Sequence, residues 1–282
     1  MKYLYYELSA ASIPNTGYNR HYKWLKELNF KIPEIEVQVH ISLVLDKVLN
    51  LIREKKHQVE QIDVMVKSRF VEMFGDPLLN PMEWEVKKLK DLTIEIRSGN
   101  TPKGGSQVYV ESGIAFFRSQ NVWRNRIEYD DIAYINETTH KAMHQTSLRN
   151  RDILITKTGR FNTDNSSLGR AALYVGDNDK ANINGHVYLV RLREGQVHEF
   201  VLYIMTTDEY RDYIRKVCVG GIDKRQINKI HLEEFPIIMP PFHLQSRFAN
   251  FVQKTDKLKF EIQQGLKILE LLYDALMQKY FG

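Results

Sequence analysis

The sequence predicts an α+β protein in which one mixed α/β globule is flanked by two long helices that form a coiled coil. Three features carry that prediction: a module repeated at both ends of the chain, an apolar stripe of period 3.5 in each copy, and a central stretch of short β-branched runs broken by turn residues. Leu25–Gly75 and Leu232–Gly282 align without gaps at an offset of 207. Pro33 falls on Pro240, Gln38 on Gln245, Ile41 on Phe248, Ile62 on Leu269, Phe74 on Phe281 and Gly75 on Gly282.

Each copy opens with a proline-punctuated extended stretch, Phe30–Pro33 and Pro236–Pro241, and then continues without proline to its final glycine. Only a long helix reads this way, and roughly 39 residues at 1.5 Å each make a rod of about 58 Å. The stripe of the first copy is Ile41, Leu45, Val48, Ile52, Lys55, Val59, Ile62, Val66, Arg69 and Met73; the second repeats the register with Phe248, Val252, Thr255, Lys259, Ile262, Leu266, Leu269, Tyr273, Leu276 and Tyr280. Two seams of equal length and register are expected to pack on each other as an antiparallel coiled coil or in a dimeric bundle, with Lys55, Arg69 and Lys259 snorkelling or admitting a partner. Gly75 and Gly282 suit left-handed C-terminal caps.

Between the helices, Ile114–Phe117, Ile153–Thr156, Ala171–Val175 and Val187–Val190 read as strands, and Glu199–Val217 as one helix. Asp76–Pro81 has two prolines in six residues and cannot continue a helix. The expected boundaries are 1–35, a helix over 36–75, a linker at 76–80, a globule over 81–241 and a helix over 242–282.

Charge permits a polyanionic partner without requiring one: 40 Lys and Arg stand against 35 Asp and Glu, a net charge of +5. The single cysteine, Cys218, cannot close an intramolecular disulfide, no apolar run approaches a membrane span, and the N-terminus lacks a signal-peptide pattern, so a cytoplasmic chain without membrane contact is expected.

Inside the globule the basic residues gather in four polar loops. Candidate DNA-binding residues are Arg97, Ser98, Asn100, Thr101 and Lys103 in the first; Arg118, Ser119, Gln120, Asn121, Arg124 and Arg126 in the second; Lys157, Thr158, Arg160, Asn162 and Asn165 in the third; and Lys224, Arg225 and Gln226 in the fourth. Arginine bonds guanine in bidentate fashion, Asn and Gln bond adenine, and Ser, Thr and Lys suit phosphates. Trp123 and Phe161 are candidates to stack on bases, or simply to pack locally.

Catalytic alternatives fail on motif. The glycines at 99–105 lack the P-loop order, no Gly-x-Gly-x-x-Gly occurs, and Met239-Pro240-Pro241-Phe242 has no side-chain acceptor where an amino-methylating enzyme carries Asn or Asp. His140 and His144 lack the following Glu of a zinc-protease helix, Asp152 and Lys157 are only a weak echo of a nuclease core, and Cys218 reads as a buried small residue. No cofactor or metal is expected.

Trp84 to Leu89, Ser98-Gly99-Asn100-Thr101-Pro102, Phe117 to Val122, Arg151 to Gly159, and Met239 to Gln245 opening a long helix come in an order that resembles the DNA-specificity subunit of Type I restriction-modification enzymes. The resemblance covers nearly the whole chain. It implies that 81–241 is a target-recognition domain reading one half of a bipartite DNA site. The paired helices would act as a ruler spanning at most about 17 base pairs at ~3.4 Å each. Methyltransferase subunits, and possibly a restriction subunit, would supply the chemistry, and this chain none. Residues 1–35 match only the tail of a preceding recognition domain. Two explanations follow, a half-length subunit that forms a homodimer on a palindromic site, or a truncated or silent cassette; a coiled-coil adaptor without DNA specificity is the competing class.

Overall fold

The computed structural model describes residues 2–11, 22–163 and 165–282. The stretch Gly17–His21, part of the expected tail fragment, lies outside the described residues. The chain divides into two compact units, one of residues 1–68 with 253–282 and one of residues 69–252.

The first unit contains helices α1 (Lys2–Ala10) and α2 (Tyr22–Glu27), most of α3 (Ile35–Phe74), and residues 253–281 of the last helix, whose full span is Phe242–Phe281. The two long helices are antiparallel here: Lys259 Nζ lies 2.6 Å from Asp63, and Lys56 Nζ lies 2.9 Å from Glu270. Ile41, Leu45, Val48 and Ile62 are buried, and Ile262, Leu269 and Leu276 on the opposing helix are half-buried. The seams that the period of 3.5 defines therefore meet within one chain, in the antiparallel arrangement. Lys259 reaches across to a carboxylate, Arg69 bonds Glu72 one turn on, and Lys55 bonds Gln58. Tyr3 and Tyr6 seat on Ile41 and Leu45, joined by Leu276, Tyr280 and Phe281. Tyr6 Oη donates to Asp46 at 2.6 Å, and Tyr3 Oη to the Lys31 carbonyl at 3.0 Å.

In the second unit, Gly75 ends α3 at φ +75°, and its N–H bonds the Val71 carbonyl at 2.9 Å. Gly282 makes the corresponding bond to Gln278 but is not among the glycines of positive φ, so the expected left-handed cap exists at one end only. Asp76 Oδ1 accepts from the N–H groups of Leu78 and Leu79, both at 2.8 Å, which turns the chain. Strand β1 (Val86–Lys88) then pairs antiparallel with β15 (Pro236–Ile238), so the body opens and closes on neighbouring strands.

Two four-stranded sheets form the body. In the first, Ala171–Leu173 (β10), Ile153–Thr156 (β8), Val187–Leu192 (β12) and Thr93–Ser98 (β2) lie in that order, all antiparallel. In the second, the order is Ala181–Ile183 (β11), Ile114–Phe117 (β4), Ala133–Ile135 (β7) and Tyr109–Val110 (β3), with β11 and β4 parallel. Both faces of β8 and of Val187–Val190 in β12 are buried, which matches the runs Ile153–Ile155 and Val187–Val190, while Arg191 interrupts β12. Phe117, Leu154 and Leu189 are each at most 1% exposed, and such side chains contribute about 1.5–3 kcal/mol apiece.

Helices α4 (Leu89–Leu92), α5 (Glu137–Ala142), α6 (His198–Ile204), α7 (Asp208–Val217) and α8 (Lys229–Glu233) complete the body, with residues 242–252 of α9 (Phe242–Phe281). The single helix expected over Glu199–Val217 is two. It breaks at Met205–Thr207 because Thr207 Oγ1 accepts from the Tyr210 N–H at 3.2 Å and starts α7 as an N-cap. Phe70, Phe74, Phe200 and Phe248 pack in one aromatic cluster, with Phe248 fully buried and Val252 nearly so. Among the described residues, no helix is long and apolar enough to cross a membrane.

Candidate nucleic-acid interface

A three-stranded ribbon joins the third and fourth loops. Its strands run Val219–Gly220 (β13), Lys224–Gln226 (β14) and Thr158–Arg160 (β9), all antiparallel. Lys224 faces Arg160, and Gln226 faces Thr158. The ribbon is anchored where the Lys157 carbonyl accepts from the Ile227 N–H at 2.9 Å, and it carries few carboxylates of its own. Arg160 Nε is 3.7 Å from Asp223, with both side chains mostly exposed, a contact of small worth in water. The Arg225 guanidinium lies 4.0 Å over the Phe161 ring, so that ring packs locally. Lys224, Gln226 and Asn162 are exposed, as is Asn165 on the loop beyond.

The first loop reaches the same edge through glycine. Gly99 N–H bonds the Val187 carbonyl at 2.8 Å, and a Cβ at Gly99 would stand 2.1 Å from the Asn184 carbonyl oxygen, so only glycine lets the strands close. A Cβ at Gly185 would lie 3.3 Å from Thr101 Oγ1, and His186 Nδ1 is 3.2 Å from Thr158 Oγ1. Asn184–His186 thus links Asn100, Thr101 and Lys103, all exposed, to the ribbon. Arg97 is turned aside, bonded to Glu95 and to Gln145 Oε1, and Ser98 is half-buried beside it.

The second loop is arranged differently. Asn121 is 1% exposed; its Oδ1 accepts from the Arg118 N–H, and its Nδ2 donates to the Glu128 and Asp131 carbonyls. Arg118 bonds the Asp131 carbonyl at 2.6 Å and its carboxylate at 3.0 Å, and Gln120 bonds the same carboxylate. Those bonds from Gln120 and Arg118 hold the Asp131 carboxyl below the usual carboxylate range. A short hairpin follows, Val122–Trp123 (β5) with Arg126–Ile127 (β6). Trp123 lies beneath Arg170 at 3.8 Å, Arg124 bonds the Thr206 carbonyl and Asp208, and Arg126 bonds Glu128. Ser119 is half-buried. Asn121, Arg118 and Gln120 are therefore occupied in holding the hairpin, and the structure does not place them with the ribbon.

Two residues at the ribbon were missed by sequence reasoning. His186 sits in a turn whose only signal was Asn184-Gly185 after a strand. Ile222 is 89% exposed between Gly221 and Asp223 at the ribbon tip, an apolar residue in a turn where solubility favours none.

Asp152 is 1% exposed and held by the Arg191 guanidinium at 2.9 and 2.7 Å, with Lys157 directed over Tyr188 instead. His140 is buried against Asn182, and α5 ends before the exposed His144. Among the described residues, no three His, Cys, Asp or Glu side chains gather as metal donors. Cys218 is buried at the end of α7.

The second unit is thus a mixed α/β body with a basic ribbon on one edge, and the first unit holds an antiparallel pair of long helices. The Type I restriction modification DNA specificity domain matches residues 81–271, and the chain belongs to that family. It is 22% identical over 202 residues to the putative type I restriction enzyme MjaX specificity subunit of Methanocaldococcus jannaschii, covering 71% of this chain and 46% of that one. It is 25% identical over 275 residues to the MjaIX specificity subunit of the same organism, covering 90% and 60%. The chain thus spans about half the length of these relatives. The S subunit of a Type I restriction-modification system from M. genitalium shares the fold, with a TM-score of 0.58 at 14% identity over 100% of this chain and 72% of that one.

Proposed function

We infer that this chain is the DNA sequence-recognition subunit of a Type I restriction-modification enzyme, non-catalytic itself, which directs methyltransferase and restriction subunits to a specific site on double-stranded DNA. One observation carries the reading: segments far apart in sequence, Thr158–Arg160 and Lys224–Gln226, pair into a basic ribbon beside Asn100, Thr101 and Lys103. A β-ribbon fits a major groove about 12 Å wide, and Arg160, Lys224 and Gln226 are the residue types that read its edges. Residues 81–241 are the recognition domain in this reading, 36–75 and 242–282 the helices, and 1–35 the closing tail of a second such domain. The cytoplasm is the compartment in which such an enzyme meets DNA. A homodimer would present two ribbons to a palindromic site, with its contact outside the helix seams that already meet within the chain.

The test is co-expression with a Type I methyltransferase subunit, with the mass of the complex read by light scattering and methylation mapped on the host genome. A complex with a discrete methylated motif is expected. Purified complex should bind DNA with log affinity falling by about 0.9 per phosphate contact as log salt rises. An adaptor without DNA specificity would give a complex and no motif; a silent cassette would give neither.

A further inference from the structure

Where the end of the third loop, the β5–β6 hairpin and the junction of α6 with α7 meet, the body holds a cavity of about 180 Å³. None of the ribbon's strands lines it. Its lining includes Arg124, Arg170 and Arg211 and, among the described residues, no Asp or Glu. Arg124 already has a counter-charge in Asp208 at 3.1 Å. Arg170 has none among the described residues: its Nε donates to the Ser166 carbonyl at 3.0 Å and its Nη2 to the Asn165 carbonyl, both neutral acceptors. Those two bonds leave N–H groups of the guanidinium to spare. Burial, and after it the charges of Arg126 and Arg211, weaken the hold of Arg170 on its proton. Like charges gathered in a half-buried place repel one another, and an anion among them relieves that repulsion.

Tyr210 adds an independent observation. It lines the same cavity, is 2% exposed, and its hydroxyl is buried without a hydrogen-bond partner. Its ring stands edge-on to Phe235 with centroids 4.8 Å apart, and its N–H is held by Thr207 Oγ1, so the side chain is fixed in place. A buried hydroxyl left unbonded costs stability, which a ligand oxygen restores. Size and donor type choose the ligand. The cavity is smaller than the roughly 300–1,000 Å³ of sites that enclose drug-sized molecules, so it takes one small group. Guanidinium forks match the oxygens of a phosphate in bidentate fashion.

We propose that this cavity binds a phosphate group, with Arg170 and Arg211 as its cationic partners and the Tyr210 hydroxyl as a further donor. Free phosphate, a phosphate ester and the DNA backbone present that same chemistry, and the test separates them. The inference rests on the cavity and not on the ribbon or on DNA recognition.

The test titrates the full chain with inorganic phosphate at constant ionic strength and follows the heat of binding and the melting temperature. Saturation at or below roughly millimolar phosphate is expected, with Arg170→Gln weakening it at least tenfold. Tyr210→Phe should weaken it several-fold without lowering the melting temperature of the phosphate-free chain, since the hydroxyl it removes bonds nothing. No saturation, or equal affinity in Arg170→Gln, overturns the proposal and leaves an adventitious ion only. So does a Tyr210→Phe chain that binds phosphate as the parent does. Should Arg170→Gln fail to fold, Arg170→Lys keeps the charge, loses the fork and is judged by the same criterion. The source is read by repeating the titration with a nucleoside monophosphate and with duplex DNA. Tighter binding of the nucleotide than of phosphate assigns a free ester, a duplex salt slope lowered by about 0.9 in Arg170→Gln assigns the backbone, and neither assigns inorganic phosphate itself. A chain that takes up phosphate but no duplex breaks the DNA-recognition reading and leaves this one standing.

Discussion

The ribbon and the hairpin loop contain the same kinds of residue, but the hairpin's are engaged within the domain and the ribbon's are exposed. Arg118, Gln120 and Asn121 look as suited to reading bases as Arg160, Lys224 and Gln226, yet the first three bond Asp131 and neighbouring carbonyls while the last three stand on an open edge. What separates them is where their hydrogen bonds are already made. A polar side chain satisfied inside its own domain has little to offer a base, and the composition of a loop does not reveal that accounting.

That contrast can be broken most directly at Asn121. Asn121→Ala removes three hydrogen bonds made by a buried side chain and should cost about 3 kcal/mol of stability in urea denaturation, with DNA preference unaltered in the folded fraction. At the ribbon the pattern reverses: Arg160→Ala should weaken specific binding by about 1–3 kcal/mol in competition assays and leave the melting temperature unchanged. Loss of stability there, or loss of base preference in Asn121→Ala, would erase the distinction. Ile222→Ser should reduce affinity by about 1 kcal/mol if the tip inserts between base steps, read as a smaller DNA bend by energy transfer. Lys224→Ala sharpens the comparison through salt, lowering the slope of log affinity by about 0.9 if it holds a phosphate, whereas Arg118→Ala should leave that slope alone. The smallest effect is on pH. Because Asp131 titrates below its ordinary value of 3.8, its clasp on Gln120 and Arg118 stabilises the fold above that value and is lost as pH falls through the lowered one. Melting curves of the parent and Asp131→Asn should therefore converge in acid.

Much of this architecture was legible because it repeats. The helix pair could be read from a stripe that recurs at a fixed offset, and Ile114–Phe117 and Ile153–Thr156 are strands over the residues their β-branched runs mark. The break at Thr207 was also legible, since Thr followed by Asp and Glu is a helix start, but the apolar spacing across it masked the signal. Which of the four loops is bonded inward and which stands open was not legible. It depends on Asp131 lying under Arg118 and on β9 finding β14, contacts between residues that nothing local ties together.

The neck formed by β1 and β15 has a consequence for how such a protein changes over generations. The chain enters and leaves the body on strands that touch, with Met239 N–H bonded to the Glu85 carbonyl at 2.7 Å. Whatever lies between residues 89 and 235 can lengthen, shorten or be exchanged by recombination without altering the distance across that neck. A change in the loops between those residues therefore leaves the points of entry and exit where they are.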